Sequence, residues 1–285
     1  MTYENCRLCP RSCGADRESG KTGFCGCGSQ ALIAKTMLHM WEEPVLAGSG
    51  GSGAVFFGGC TLRCRYCQNH TISFCPAGTP VDSAQLRKIF EDLISQGAEN
   101  IDLVTPSHFI PTVLPALEPK LPVPVIFNCG GYESAEALRL LAGKIDIYLP
   151  DLKYTRSDLA AKLSAAPDYF SVAKDAIREM VRQTGPVQFQ GDKLIKGTVI
   201  RHLILPGQIE NSLAAMDWIG ETFAPGEVLV SLMRQYTPIP GMEPPFDRKV
   251  TEEEYQAVLS FLYLNRLEGF TQEASAADTA FVPDF

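Results

Sequence analysis

No stretch of this 285-residue chain approaches the roughly 18 consecutive apolar residues of a membrane-spanning helix, so no membrane span is expected. The opening Met1-Thr2-Tyr3-Glu4-Asn5-Cys6 lacks a basic region followed by an apolar core, so no secretory leader is expected and the chain reads as cytoplasmic. Positive charge is in short supply: 25 Lys and Arg against 33 Asp and Glu leave a net charge of −8. That balance argues against broad binding to nucleic acid or to an anionic membrane surface. What remains is globular, with 45% hydrophobic and 20% charged residues, and long enough for one large domain with a small appendage.

Cysteine, by contrast, is plentiful and clustered. Ten are present: Cys6, Cys9, Cys13, Cys25 and Cys27 near the start, then Cys60, Cys64, Cys67 and Cys75, with Cys129 alone. Without an export signal, such groups suit metal ligation or free thiols better than disulfides. Residues 1–30 have few apolar side chains to bury, and such a piece usually needs a metal or cross-link to hold a shape. The spacing C-x2-C-x3-C-x11-C makes Cys6, Cys9, Cys13 and Cys25 candidates for zinc or a second iron–sulfur cluster, with Cys27 able to replace Cys25. Free or redox-active thiols in a flexible arm are the alternative.

The strongest pattern is Gly58-Gly59-Cys60-Thr61-Leu62-Arg63-Cys64-Arg65-Tyr66-Cys67-Gln68-Asn69, directly after the apolar run Ala54–Phe57. Three thiolates on one loop can converge on one metal centre but cannot close a four-ligand site. The spacing therefore predicts a cluster with one metal position left for another ligand.

Strand and helix patterns alternate along the rest of the chain. Leu32 to Met40 reads as a strand, broken by Glu42-Glu43-Pro44. Strands are then expected at Val55, Ile101–Thr105, Val123–Asn128, Ile145–Leu149, Thr198–Leu205 and Val228–Met233. Between them, Asp82 with Gln85 forms a capping box and Gly97 a stop. Ser134 opens a helix ending at Gly143, Asp168–Gln183 is amphipathic, Asn211 caps another helix, and Gln188–Lys196 reads as a hairpin. Thr251 and Glu254 cap a C-terminal helix, and the aromatic ends of Phe281-Val282-Pro283-Asp284-Phe285 are expected to pack back. Short, fully apolar strands separated by helical crossovers indicate an α/β fold with a parallel sheet, in six repeats an open (β/α)6 partial barrel. The expected division is a Cys-rich extension over 1–50, the barrel over 51–236 and a C-terminal extension over 237–285. Polar residues and glycines collect at strand C-termini, where ligands bind in such folds.

C-x3-C-x2-C after the first barrel strand, with Tyr66 before its last cysteine, resembles the motif of the radical S-adenosylmethionine superfamily. Cys67-Gln68-Asn69 is similar to the C-x-N ending of glycyl-radical-enzyme (pyruvate formate-lyase) activating proteins. The four-cysteine N-terminus, the approach His39-Met40-Trp41-Glu42-Glu43-Pro44 and Cys67–Ser73 resemble their PflX-like subgroup. The resemblance covers nearly the whole chain. It implies a TIM-like partial barrel, a 4Fe–4S cluster on Cys60, Cys64 and Cys67, and S-adenosylmethionine bound through the open iron. Reductive cleavage would give a 5′-deoxyadenosyl radical that abstracts a hydrogen.

The same resemblance implies cofactor contacts at Tyr66, Asn69, Thr105, Ser107, Asn128, Asp151, Lys153, Arg201 and Gln235. Val104-Thr105-Pro106-Ser107 departs from the family's Gly-Gly-Glu type motif. Asn128-Cys129-Gly130-Gly131 stands for an Asp-Thr-Asn-Gly segment, which loses one negative charge and puts a bound monovalent cation in doubt. Asp151-Leu152-Lys153 matches Asp-Leu-Lys, and Gln235 sits where the activators carry histidine. Asp151, Lys153 and Arg201 equally suit an ion-paired strand end. His39, His70, His108 and His202 read first as packing or solvent-facing residues, and Cys75 and Cys129 as incidental thiols or small hydrophobes. The implied partners are a one-electron donor such as flavodoxin or ferredoxin and a protein substrate bearing a glycine to be activated. The alternatives are radical modification of another peptide or small molecule, and a non-catalytic iron–sulfur or zinc protein.

Overall fold

The six expected barrel strands form, and they run parallel. The computed structural model describes residues 2–272; the expected packing of Phe281–Phe285 falls outside them. The central strands are β2 (Ser52–Phe57), β4 (Asn100–Val104), β5 (Val125–Cys129), β6 (Ile147–Pro150), β8 (Lys193–Leu203) and β9 (Leu229–Met233), hydrogen-bonded in that order. Every residue of β2, β5, β6 and β9 is buried, as strands covered on both faces require. On one side β1 (Ala31–His39) pairs antiparallel with β2 and with β3 (Thr79–Val81). On the other, β10 (Gly269–Thr271) adds a seventh parallel strand beside β9. The Gln188–Lys196 region is a hairpin, with β7 (Gln188–Gln190) turning back onto the start of β8.

The crossovers are helical: α3 (Ser83–Ser95), α4 (Ile110–Ala116), α5 (Ala135–Leu140), α7 (Tyr169–Thr184) and α8 (Ile209–Thr222), with α9 (Glu252–Leu264) after the last barrel strand. Asp82 and Gln85 form both arms of the expected capping box, as do Thr251 and Glu254. α5 stops at Leu140, short of the expected Gly143. Asn211 does not cap α8: the helix starts two residues earlier, and the Asn211 side chain instead accepts from Thr155 N at 2.7 Å and donates to Lys153 O at 3.0 Å. A helix without a sequence-level prediction, α6 (Ser157–Ser164), follows β6. Two short helices flank the cysteine motif: α1 (Pro44–Ala47) before β2 and α2 (His70–Phe74) after it.

One apolar cluster packs α3 and α4 on the sheet and includes Tyr3, Leu8, Cys25 and Cys27. The first 30 residues thus share the barrel's own core, although those described contain neither helix nor strand. A second cluster holds α6 to α9. Leu46 of α1 sits with Ile126, Ile147, Leu149, Val199 and Leu229, so the turn after β1 fills the barrel interior. Asn100 anchors that turn by donating to Leu46 O at 2.8 Å. No helix among the described residues is long and apolar enough to cross a membrane.

Candidate iron–sulfur and nucleoside site

The loop carrying Cys60, Cys64 and Cys67 leaves β2 through Gly58-Gly59. Gly59 has φ +81°, and a Cβ there would lie 2.4 Å from the Cys27 sulfur, so only glycine fits. The turn itself places Arg63 at φ +52°. Donors are aimed at the sulfurs: Leu62 N reaches Cys60 Sγ at 3.4 Å and Ser164 Oγ donates to Cys64 Sγ at 3.0 Å, while Ser73 Oγ lies 3.5 Å from Cys67 Sγ. Arg65 N donates to Leu163 O, so the last turn of α6 holds the middle of the loop. Burial pushes the Cys60 thiol up to about 12, and the neighbouring Cys64 and Cys67 add to it. Cys67 is raised by burial and then by Cys64. Cys60 and Cys67, raised in this way, need positive charge to become thiolates, and iron would supply it. Among the described residues no three His, Cys, Asp or Glu side chains converge tightly enough to hold a single metal ion as they stand. The fit of a cluster rests on the donor set: three thiols of one loop, each with a polar group against its sulfur.

Beside the loop, the strand ends bring together four of the predicted side chains. Arg201 Nε donates to Asp151 Oδ1 at 2.8 Å and its Nη2 to Asn128 Oδ1 at 2.6 Å. Lys153 Nζ contacts the other Asp151 oxygen at 2.5 Å. Burial alone would raise Asp151, but the Arg201 and Lys153 cations outweigh it and hold the carboxyl below its usual range. Lys153 is raised against its own burial by Asp151, Tyr66 and Cys64, which links this ring to the cysteine loop. The ion-paired strand end weighed from sequence is therefore present, and it faces the thiols.

The remaining predicted residues are placed differently. Thr105 holds φ +62°, rare for a β-branched residue, and donates its N–H to Asn128 O at 2.8 Å. Ser107 is buried beside Glu133, whose carboxyl burial lifts to about 7. Tyr66 is buried between the rings of Tyr154 and Tyr236. Asn69 leads into α2 and accepts from Ser73 N through its carbonyl. Gln235 accepts from Gln68 through its carbonyl and from Gln272 through its side chain. His70 is exposed, whereas His108 and His202 are buried and hydrogen-bonded, as packing residues. Cys75 is exposed and Cys129 buried.

Two residues of this region were not predicted. Glu42 and Asp102 reach Arg201 and Asn128 from below, at 3.8 Å and 3.2 Å. The signal for Asp102 is one acid inside the otherwise apolar Ile101–Val104; Glu42 reads only as a strand breaker.

In the N-terminal segment Cys6, Cys9, Cys25 and Cys27 are buried and Cys13 is exposed. Burial pushes Cys9 up to about 12. Cys25 goes the other way, to about 5, chiefly because the Cys27 side chain bonds to it, with the Arg17 guanidinium adding positive charge. Arg17, 1% exposed, donates to Gly28 O and to His108 O at 2.6 Å each. Arg11 donates to Thr61 O at 2.9 Å and to Ser164 O and Ala165 O, tying the segment to the cysteine loop and to α6.

Residues 46–109 match the model of the 4Fe–4S single cluster domain. An uncharacterized protein of Methanocaldococcus jannaschii is 27% identical over 275 residues, 90% of this chain and 74% of the relative. Among solved structures, a radical SAM methyltransferase from Sphaerobacter thermophilus superimposes with a TM-score of 0.54 at 12% identity, covering 78% of this chain and 66% of that one. Streptococcus suis SuiB, solved bound to S-adenosylmethionine, gives 0.51 at 15% identity over 75% of this chain. The chain spans about half the length of SuiB, 48%. Cys60, Cys64 and Cys67 lie inside the region similar to that 4Fe–4S domain, and the barrel has the fold of these two solved structures.

Proposed function

We propose that the chain is a radical S-adenosylmethionine enzyme whose cluster is held by Cys60, Cys64 and Cys67. The observation that carries this reading is the shared rim: the three-thiol loop and the Asn128–Asp151–Lys153–Arg201 ring occupy the same strand ends, linked through Lys153. When bound, the cluster and S-adenosylmethionine supply a 5′-deoxyadenosyl radical by one-electron cleavage of a carbon–sulfur bond. The protein's residues bind and orient. Asp151 accepts from a ribose hydroxyl, Arg201 and Lys153 counter the methionine carboxylate, and Tyr66, Asn69, Thr105, Ser107 and Gln235 complete the nucleoside pocket. Buried walls keep water from the radical. The electron comes from a flavodoxin- or ferredoxin-like donor in the cytoplasm. Cys6, Cys9, Cys13 and Cys25 hold zinc or a second cluster, which metal analysis of the chain lacking residues 1–30 would test.

The substrate read from resemblance is a glycine of a glycyl radical enzyme, tested by a glycyl radical signal on a candidate partner in electron paramagnetic resonance. Modification of another peptide or small molecule is the competing outcome. The reaction itself is tested by anaerobic reconstitution, reduction and addition of S-adenosylmethionine. 5′-Deoxyadenosine should form, and Cys64→Ala should abolish both its formation and cluster iron. No product from the intact chain, together with unchanged iron in Cys64→Ala, would remove the proposal.

A further inference from the structure

Asp102 is the one charged residue of β4, and it is 0% exposed, so its role is not direct contact with a ligand. A buried acid in an otherwise apolar strand is costly unless it is bonded, and its partners define what it does. The parallel register pairs Asp102 with Ile126. Asn128, two residues further along β5, therefore points to the same face of the sheet as a diagonal neighbour. Its Nδ2 donates to Asp102 Oδ2 at 3.2 Å, and its Oδ1 accepts from Arg201 Nη2 at 2.6 Å.

The two ends of an amide are alike in shape and opposite in polarity. The reverse orientation of Asn128 would set its N–H groups against the guanidinium and its oxygen against the Asp102 carboxyl, and both bonds would be lost. Asp102 therefore decides which end of the amide Arg201 meets. On its other side Asp102 is hydrogen-bonded by Glu42, which burial and the neighbouring carboxyls of Asp102 and Glu43 lift well above the usual range, so that it keeps its proton. Arg201 is in turn held at two points, Nη2 on Asn128 and Nε on Asp151 at 2.8 Å, where the end of β6 bridges to β8. Its Nη1 stands 3.8 Å from Glu42, beyond hydrogen-bond reach. Among the described residues, that nitrogen is the donor left for a ligand carboxylate. A guanidinium fixed along two edges has one orientation, and a donor placed in advance loses less freedom on binding.

We propose that Asp102 is a positioning residue of the S-adenosylmethionine site: by fixing the Asn128 amide, it sets the Arg201 guanidinium that receives the methionine carboxylate. The proposal deepens the radical-enzyme reading and rests on it for the identity of the ligand. It also gives Asn128 a reason. The acid of this region sits one layer lower, on β4, and an amide at 128 can donate to it and accept from Arg201 at once, which a carboxylate cannot.

Calorimetric titration of S-adenosylmethionine into the oxidised, reconstituted full chain tests it, with iron content and melting temperature followed in every variant. Asp102→Leu should weaken binding by about ten-fold or more, the size of one lost charge-assisted bond. Asp102→Asn should stay within about three-fold of the intact chain, because its amide oxygen still accepts from Asn128 while its N–H groups face the Glu42 carboxyl. Asn128→Leu cuts the same link from its other side, so adding Asp102→Leu to it should weaken binding by less than about a further three-fold. Asp102→Val, β-branched as strands favour, takes the place of Asp102→Leu should that variant unfold. Unchanged affinity in a folded Asp102→Leu, an equal loss in Asp102→Asn, or fully additive losses in the double variant would each overturn the proposal. Failure of the intact chain to bind S-adenosylmethionine would remove the radical-enzyme reading and the proposal with it, whereas the other outcomes remove the proposal alone.

Discussion

Two cysteine-bearing regions meet at Gly58-Gly59, and they are held in opposite ways. The loop from Cys60 to Cys67 is framed by regular structure: β2 before it, α2 after it and the last turn of α6 across its middle. The N-terminal segment has no helix or strand among its described residues, yet buries four thiols. Backbone bonds such as Cys6 N to Ala15 O, Gly14 N to Cys6 O and Arg17 N to Tyr3 O shape it, and two arginines that donate to main-chain carbonyls tie it down. Arg17 binds Gly28 O and His108 O, and Arg11 binds Thr61 O and Ser164 O. The lesson is that guanidinium donors can dock a segment whose own main-chain pairing is too short to form regular structure. Charge-assisted bonds of about 1.5–3 kcal/mol suit that role. The consequence for the proposed chemistry is that the extension supports the cluster loop from behind.

The comparison breaks first at Arg17. Arg17→Met should destabilise by about 3–5 kcal/mol, because it strands two carbonyls and removes the positive charge facing Cys25. Anaerobic urea unfolding measures it, and a loss under about 1 kcal/mol would show that the segment is held by something else. The barrel side is probed by His202. Its Nδ1 donates to Leu152 O and its Nε2 accepts from Ser212 Oγ, a neutral tautomer, and burial lowers its pKa to about 4. The unfolded chain therefore takes up this proton at higher pH than the folded one. The stabilisation is complete above about pH 6.5 and is lost as pH falls from there to about 4, by about 3 kcal/mol. Unfolding of the protein and of His202→Gln at pH 7.5 and pH 4.5 should reveal that difference; parallel losses would refute it.

A smaller effect is expected at Arg11, which joins the two regions. Arg11→Ala should slow formation of 5′-deoxyadenosine by about ten-fold, as supporting residues of metal sites do, with little change in melting temperature. An unchanged rate would mean that the cysteine loop is positioned by the barrel alone. The smallest is a control remote from both regions. Asp82→Ala removes the α3 capping box and should cost about 1 kcal/mol in thermal unfolding while leaving 5′-deoxyadenosine formation unaltered.

Much of the barrel was legible before the fold. Apolar runs such as Ala54–Phe57 and Val228–Met233 are short, continuous and bounded by breakers, and strands buried on both faces read that way. Helix starts were legible where a side chain caps its own backbone, as at Asp82 and Thr251. Asn211 misled because its amide serves the loop after β6, a partner 56 residues away. α6 was missed because Ser157–Ser164 is only eight residues long and no side chain caps its start. Glu42 looked like punctuation, since nothing local says that the turn after β1 enters the barrel.

The sequence by itself determined the cysteine loop, the six parallel strands and the polar residues at their ends. These follow from spacing and periodicity, which are local properties of the chain. Only the tertiary structure decided which polar residues face one another. It set Asp151 between Arg201 and Lys153, brought Glu42 to Arg201, buried Cys27 while exposing Cys13, and bound the N-terminal segment to the loop through Arg11. The physical reason is that hydrogen bonds and buried charges are satisfied across long sequence separations, by neighbours that exist only after the sheet has closed.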